Sequence, residues 1–138
     1  MSEELSVPKL TKLAKTIGFE ITEFTEGNCI VELPITEEHL NAGGVVHGGL
    51  HATMLDTAMG GTLVTTLPKE QWCATAQLDI SYLEASYAGS HLTATGEIIR
   101  KGKNLAHLRG GIIDEKGRKI AHASGTWAIW EKKPSSLV

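Results

Sequence analysis

The chain has 138 residues, a formal net charge of −3 and a pI near 6.1. That length suits one domain, residues 1–138, with a core of its own, and the lack of a basic excess excludes nucleic acid as the main partner. No run is apolar and long enough to cross a membrane, and the acidic opening M-S-E-E-L-S-V-P lacks the apolar stretch of an export signal; a cytoplasmic protein with no membrane role is expected.

In chain order, Leu5 to Ile17 reads as an amphipathic helix following Pro8, with Leu10, Leu13, Ala14 and Ile17 on one face and Gly18 ending it. Phe19–Thr25 and Cys29–Ile35 alternate around E-G-N, the signal of a hairpin, and Pro34 predicts that the second strand ends at an edge. A loop, T-E-E-H-L-N-A-G-G, leads into a helix over about 47–66, broken by Pro68, Lys69 and Glu70. The remainder is strand. In the first stretch Ala74, Ala76, Leu78, Ile80 and Tyr82 form an apolar face, and Thr75, Gln77, Asp79 and Ser81 a small polar one. His91–Arg100, Leu105–Asp114 and Lys119–Trp130 follow across short turns, and residues 132–138 read as a frayed tail. Cys29 and Cys73 fall in strand patterns without metal-like spacing and read as buried free thiols. Trp127 and Trp130 read as sheet packing. Together these elements predict an α+β fold: a curved antiparallel sheet wrapped around one long central helix.

The stretch Asn41 to Thr66, N-A-G-G-V-V-H-G-G-L-H-A-T-M-L-D-T-A-M-G-G-T-L-V-T-T, organises the rest. Leu50, Met54, Leu55, Ala58, Met59 and Leu63 recur at helical spacing, and the helix is apolar on more than one side. Among these side chains sits one acid, Asp56. A carboxylate in such a place is either paired or has its pKa raised for use. Gly48 and Gly49 fall at the helix N-terminus, where backbone N–H groups lack partners and the dipole is positive, so a ligand oxygen can approach them closely. A carbonyl polarised by an amide, together with a carboxylate that holds water, are the parts of a hydrolytic acyl-transfer site.

Gly48 and Asp56 are eight residues apart, or roughly 12 Å along a helix axis. A reacting carbon should lie within about 3–3.5 Å of its nucleophile. One copy of the helix therefore cannot supply both groups, whereas two antiparallel copies can. The spacing predicts a two-fold homodimer with two equivalent sites at its interface.

The element order, with N-A-G-G-V-V-H-G-G-L-x-x-x-x-x-D at its centre, resembles the hotdog-fold acyl-CoA thioesterases of the PaaI-like group over roughly residues 18–131. Asn41, His47-Gly48-Gly49 and Asp56 stand at that group's spacing, and the R-K-G-K turn at Arg100–Lys103 and the D-x-x-G-[KR] turn at Asp114–Arg118 also fit it. The resemblance implies that Asp56 is the catalytic general base or nucleophile and that the Gly48 amide polarises the thioester carbonyl. It implies that Asn41 and His47 help to hold the thioester or the water, and that Thr75 lies near that water. Acyl-CoA is the implied substrate, with an aryl or a medium- to long-chain acyl group. Self-association as a homodimer, extending to a dimer of dimers, is implied as well. Gly49 and the basic hairpin residues Arg100, Lys101 and Lys103 are the expected substrate-binding groups, the cations for the phosphates of CoA.

His47 and His51 stand at i, i+4, a metal-compatible spacing, but no H-E-x-x-H is present and Asp56 lies on a different face from His51; neither metal nor cofactor is expected. G-G-V-V-H-G-G lacks the G-K-[ST] ending of a phosphate loop. Two other readings remain open on the same scaffold. An enoyl-thioester hydratase or dehydratase would need a His and an acid poised together, and a non-catalytic acyl-CoA-binding module would not need the acid at all.

Overall fold

A computed structural model describes residues 5–135; residues 1–4 of the acidic opening and 136–138 of the tail lie outside the described residues. The elements are α1 (Lys12–Ile17), β1 (Glu20–Thr25), β2 (Asn28–Pro34), α2 (Gly48–Val64), β3 (Trp72–Tyr82), β4 (His91–Lys101), β5 (Leu105–Ile113) and β6 (Lys119–Trp130). The strands form one antiparallel sheet in the order β1-β2-β4-β5-β6-β3. The chain leaves β2, crosses the sheet as α2 and returns as β3 at the far edge. This is the hotdog arrangement expected from the sequence.

The sheet-facing side of α2 carries Leu50, His51, Met54, Leu55, Ala58, Met59, Thr62 and Leu63, all buried. They pack on Val31, Leu33, Leu92, Ala94, Leu108, Ile112 and Trp127 from the sheet. The helix lies close because Gly96 and Gly110, paired across β4 and β5, leave room beneath it. A Cβ on Gly96 would come within 2.8 Å of the Met59 Cα and 3.0 Å of the Ala58 carbonyl oxygen, both backbone atoms that cannot rotate away. Gly96→Ala should therefore cost about 1–3 kcal/mol of stability, read as a lower denaturant midpoint with an unchanged slope. The C-terminal turn of α2 is tied to the first hairpin by hydroxyls: Cys29 N–H donates to Thr62 Oγ and Gly27 N–H to Thr65 Oγ.

Several expectations are corrected. Helix α1 begins at Lys12, not near Leu5, because the Thr11 hydroxyl accepts from Ala14 N–H and caps it there. In so short a helix the buried face centres on Ala14, and Leu13 is left exposed. Gly18 ends it in the left-handed conformation, as predicted. Strand β2 is interior, yet Pro34 still marks a local edge: Ile35 N–H bonds Ser90 on the β4 side, so the Pro34 nitrogen faces past the start of β1. The tail is held at its start, where Lys133 N–H donates to the Glu70 carbonyl. Trp127 packs in the core as expected, whereas Trp130 lies exposed.

The largest correction concerns β3. Its pairing with β6 shifts register between Thr75 and Gln77, a β-bulge with Ala76 as the extra residue. Cys73 and Thr75 lie opposite Ile129 and Trp127, and Leu78, Ile80 and Tyr82 lie opposite Gly125, Ala123 and Ala121. The helix-facing row is therefore Cys73, Thr75, Leu78, Ile80, Tyr82. Ala74 turns to the outer face, and Thr75 leaves the polar row in which simple alternation put it.

Candidate active site

The bulge positions the site. Thr75 and Tyr82 are an odd number of residues apart, which in an unbroken strand would put them on opposite faces. With the extra residue both face α2, and β3 runs antiparallel to the helix. Thr75 meets its middle and Tyr82 meets its N-terminus.

At the middle, the Thr75 hydroxyl donates to Asp56 Oδ1 at 2.6 Å. Asp56 is half-buried, and its Oδ2 has no hydrogen-bond partner among the described residues. The carboxylate thus lies off the fully buried face of α2, on the flank turned toward the edge strand β3, beside the half-buried small residues Ala52, Thr53 and Gly60. Cys73 and Cys29 are buried free thiols. Burial pushes both up to about 11, and at Cys73 the negative charge of Asp56 adds to the effect.

At the N-terminus, His47 caps the helix: its Nδ1 accepts from Gly49 N–H at 2.8 Å and so carries no proton. The Tyr82 hydroxyl donates to the Gly48 carbonyl at 2.7 Å. Gly48 N–H has no acceptor among the described residues. The preceding loop is pinned by Asn41, whose Oδ1 accepts from Gly43 N–H at 2.9 Å and from Val45 N–H at 3.3 Å. Asn41 N–H in turn donates to the Val45 carbonyl, and Leu40 pairs with Val46, so the loop closes like a small hairpin.

The structure therefore brings Asp56 and Thr75 into contact, and places His47, Gly48 and Gly49 in the first turn of the same helix, about eight residues or roughly 12 Å back, with Asn41 in the loop that leads to it. It does not bring Arg100, Lys101 and Lys103 to either group. Lys101 Nζ donates to the Thr66 carbonyl at the C-terminal end of α2, where a cation complements the helix dipole. A recess of about 850 Å³ opens at that same end, lined by Phe24, Val64, Leu67, Lys69, Trp72 and Lys133, and contains neither Asp56 nor Gly48. His47 and His51 do not converge, and among the described residues no three His, Cys, Asp or Glu are close enough to hold a metal ion.

Tyr82 is the contact that sequence reading missed. It read as one more member of an apolar row, and nothing in its local pattern names its partner. The sequence marks His51 only as part of a metal-compatible spacing; it is 3 % exposed, its ring packs on Tyr82 with centroids 5.6 Å apart, and neither ring nitrogen has a partner among the described residues. Burial holds its pKa below the ordinary 6.5. The unfolded chain then takes up a proton near pH 6.5 that the folded chain refuses, so stability is intact above that pH and lost as pH falls below it. A denaturation series from pH 7.5 to 5 should show this loss, and His51→Leu should flatten that part of the curve.

A family model described as the thioesterase superfamily matches residues 43–121. Human acyl-coenzyme A thioesterase 13 is 32 % identical over 101 residues, 72 % of this chain and 71 % of that protein. Among solved structures, a hypothetical thioesterase protein of Streptococcus pneumoniae TIGR4, with coenzyme A, is 25 % identical with a TM-score of 0.76 and covers 84 % of this chain and 91 % of its own. The PaaI protein of E. coli, from the phenylacetic acid degradation operon, is 24 % identical with a TM-score of 0.79, covering 86 % of this chain and 83 % of its own, and shares the fold.

Proposed function

The chain belongs to the thioesterase superfamily and is an enzyme of thioester hydrolysis, and from that premise we propose that it cleaves an acyl-CoA to the free acid and CoA at a site shared by two copies of the chain. The observation that carries this reading is Asp56. Its Oδ1 is tethered by Thr75, and its Oδ2 is left to hold a water. The water gives its proton to Asp56 as its oxygen bonds to the thioester carbon. Charge develops on the carbonyl oxygen, which the free Gly48 amide of the second copy receives. The C–S bond then breaks, and the CoA thiolate takes the proton back from Asp56.

Two features support the two-copy arrangement. The separation along α2 prevents the Gly48 of one chain from serving its own Asp56. Beside Asp56, α2 carries Ala52, Thr53 and Thr57, all half-buried in the single chain, and small residues let a second helix approach closely. Asn41 and His47 act by fixing the loop and first helical turn. Gly49, whose N–H already bonds His47, lends its lack of a side chain to thioester access. Arg100, exposed near the end of β4, and Lys103, exposed on the β4–β5 turn, serve the phosphates of CoA together with Lys101, and two dimers pair into a tetramer.

An assay of thiol release over a panel of aryl and alkyl acyl-CoAs tests the reading. It predicts stoichiometric CoA and free acid from at least one class. Tight binding of every ester without release, or hydration of an enoyl-CoA instead, would contradict it.

A further inference from the structure

We infer that Tyr82 is a positioning residue for the Gly48 amide, an inference that rests on the hydrolytic reading above. An amide that stabilises a transition-state oxyanion must be held still beforehand, because reorienting it during the reaction wastes its effect. Here that task falls to glycine, the least restrained residue. Neither Gly48 nor Gly49 can be replaced by a stiffer residue without conflict. A Cβ on Gly48 would sit 3.2 Å from the Tyr82 hydroxyl oxygen, and one on Gly49 would sit 2.9 Å from His47 Nδ1.

Two side chains supply the rigidity that the glycines lack. The peptide unit joining Gly48 to Gly49 is planar, so holding its two ends fixes the whole plate. Its N–H end donates to His47 Nδ1 and its carbonyl end accepts from Tyr82 Oη. The Tyr82 ring lies against Gly48 and is itself backed by the buried ring of His51. With the next peptide plate locked, the torsional freedom of Gly48 is cut, and its N–H has no acceptor among the described residues. His47 comes from the helix cap, whereas Tyr82 arrives from β3 and faces α2 only because of the bulge at Ala76. One strand thus aims the carboxylate through Thr75 and the oxyanion donor through Tyr82.

The test is Tyr82→Phe, which keeps the ring and deletes the one hydrogen bond. One such bond is worth about a factor of ten, so kcat for thiol release should fall about tenfold with KM within about twofold. On the inactive Asp56→Asn background, the infrared carbonyl stretch of a bound acyl-CoA should lie below its solution frequency and move back toward it when Tyr82→Phe is added. The Gly49 amide should exchange its hydrogen about tenfold faster in Tyr82→Phe, a reading that needs no substrate. An unchanged kcat, or a rise in KM alone with an unmoved carbonyl stretch, would overturn the inference. If the wild-type enzyme releases no thiol from any acyl-CoA, the hydrolytic reading falls; unaltered Gly49 exchange would then sink the holding role as well, and faster exchange would leave that role standing.

Discussion

Asp56→Ala should lower kcat for acyl-CoA hydrolysis by roughly 10²–10⁴-fold, the range over which a positioned general base acts, with little change in fold. Asp56 is half-buried and, among the described residues, its side chain bonds Thr75 alone, which is itself exposed and can turn to water. The stability change should stay within about 1 kcal/mol. Asp56→Asn sharpens the point: an amide oxygen still accepts from Thr75, so the local geometry persists, yet it cannot take a proton from water or attack a carbonyl. Equal losses in both variants, with equal denaturant midpoints, assign the effect to the carboxylate. A rate retained in Asp56→Asn would assign it to hydrogen bonding alone.

Gly48→Pro should cost about 10²–10³-fold in kcat, the usual consequence of deleting one oxyanion donor. The substitution suits the site. Gly48 is the first residue of α2, directly after the His47 cap, and proline is favoured there because that N–H has no partner in the helix. His47, at φ −60° and ψ 133°, already has the extended backbone that precedes proline. The pyrrolidine ring must displace Tyr82 by a few tenths of an ångström, a cost shared by Gly48→Ala, which keeps the amide. Alanine should therefore lose far less than proline. Equal loss in the two would point to crowding against Tyr82 instead of the missing donor.

The middle of the chain was the most legible part. The helical period from Leu50 to Leu63, bounded by a capping His47 and a break at Pro68, gave α2 nearly to its ends. E-G-N and K-G-R put glycine where the turns need it, at Gly27 and Gly117, both at φ +79°. Asp56 stood out as one charge in an apolar helix, although its side of the helix did not, because small residues look alike whether a sheet or a second helix covers them. The bulge left no mark: A-T-A-Q alternates smoothly, without glycine or proline, and only pairing with β6 shows the phase change that turns Thr75 and Tyr82 toward α2. Contacts between distant segments were likewise hidden. Gly96 and Gly110 have meaning only under Met59, and Lys101 only beside the last turn of α2.

The central claim is that each site takes its acid from one chain and its amide from another, and mixed dimers test it most directly. Chains carrying Asp56→Ala, unfolded and refolded together with chains carrying Gly48→Pro, form dimers in which one of the two sites holds both defects and the other none. Random pairing then restores about a quarter of wild-type turnover, since half the dimers are mixed and half their sites are intact. Activity that stays at the level of the separate parents, in a preparation where mixed dimers are shown to have formed, would mean that both groups serve from the same chain.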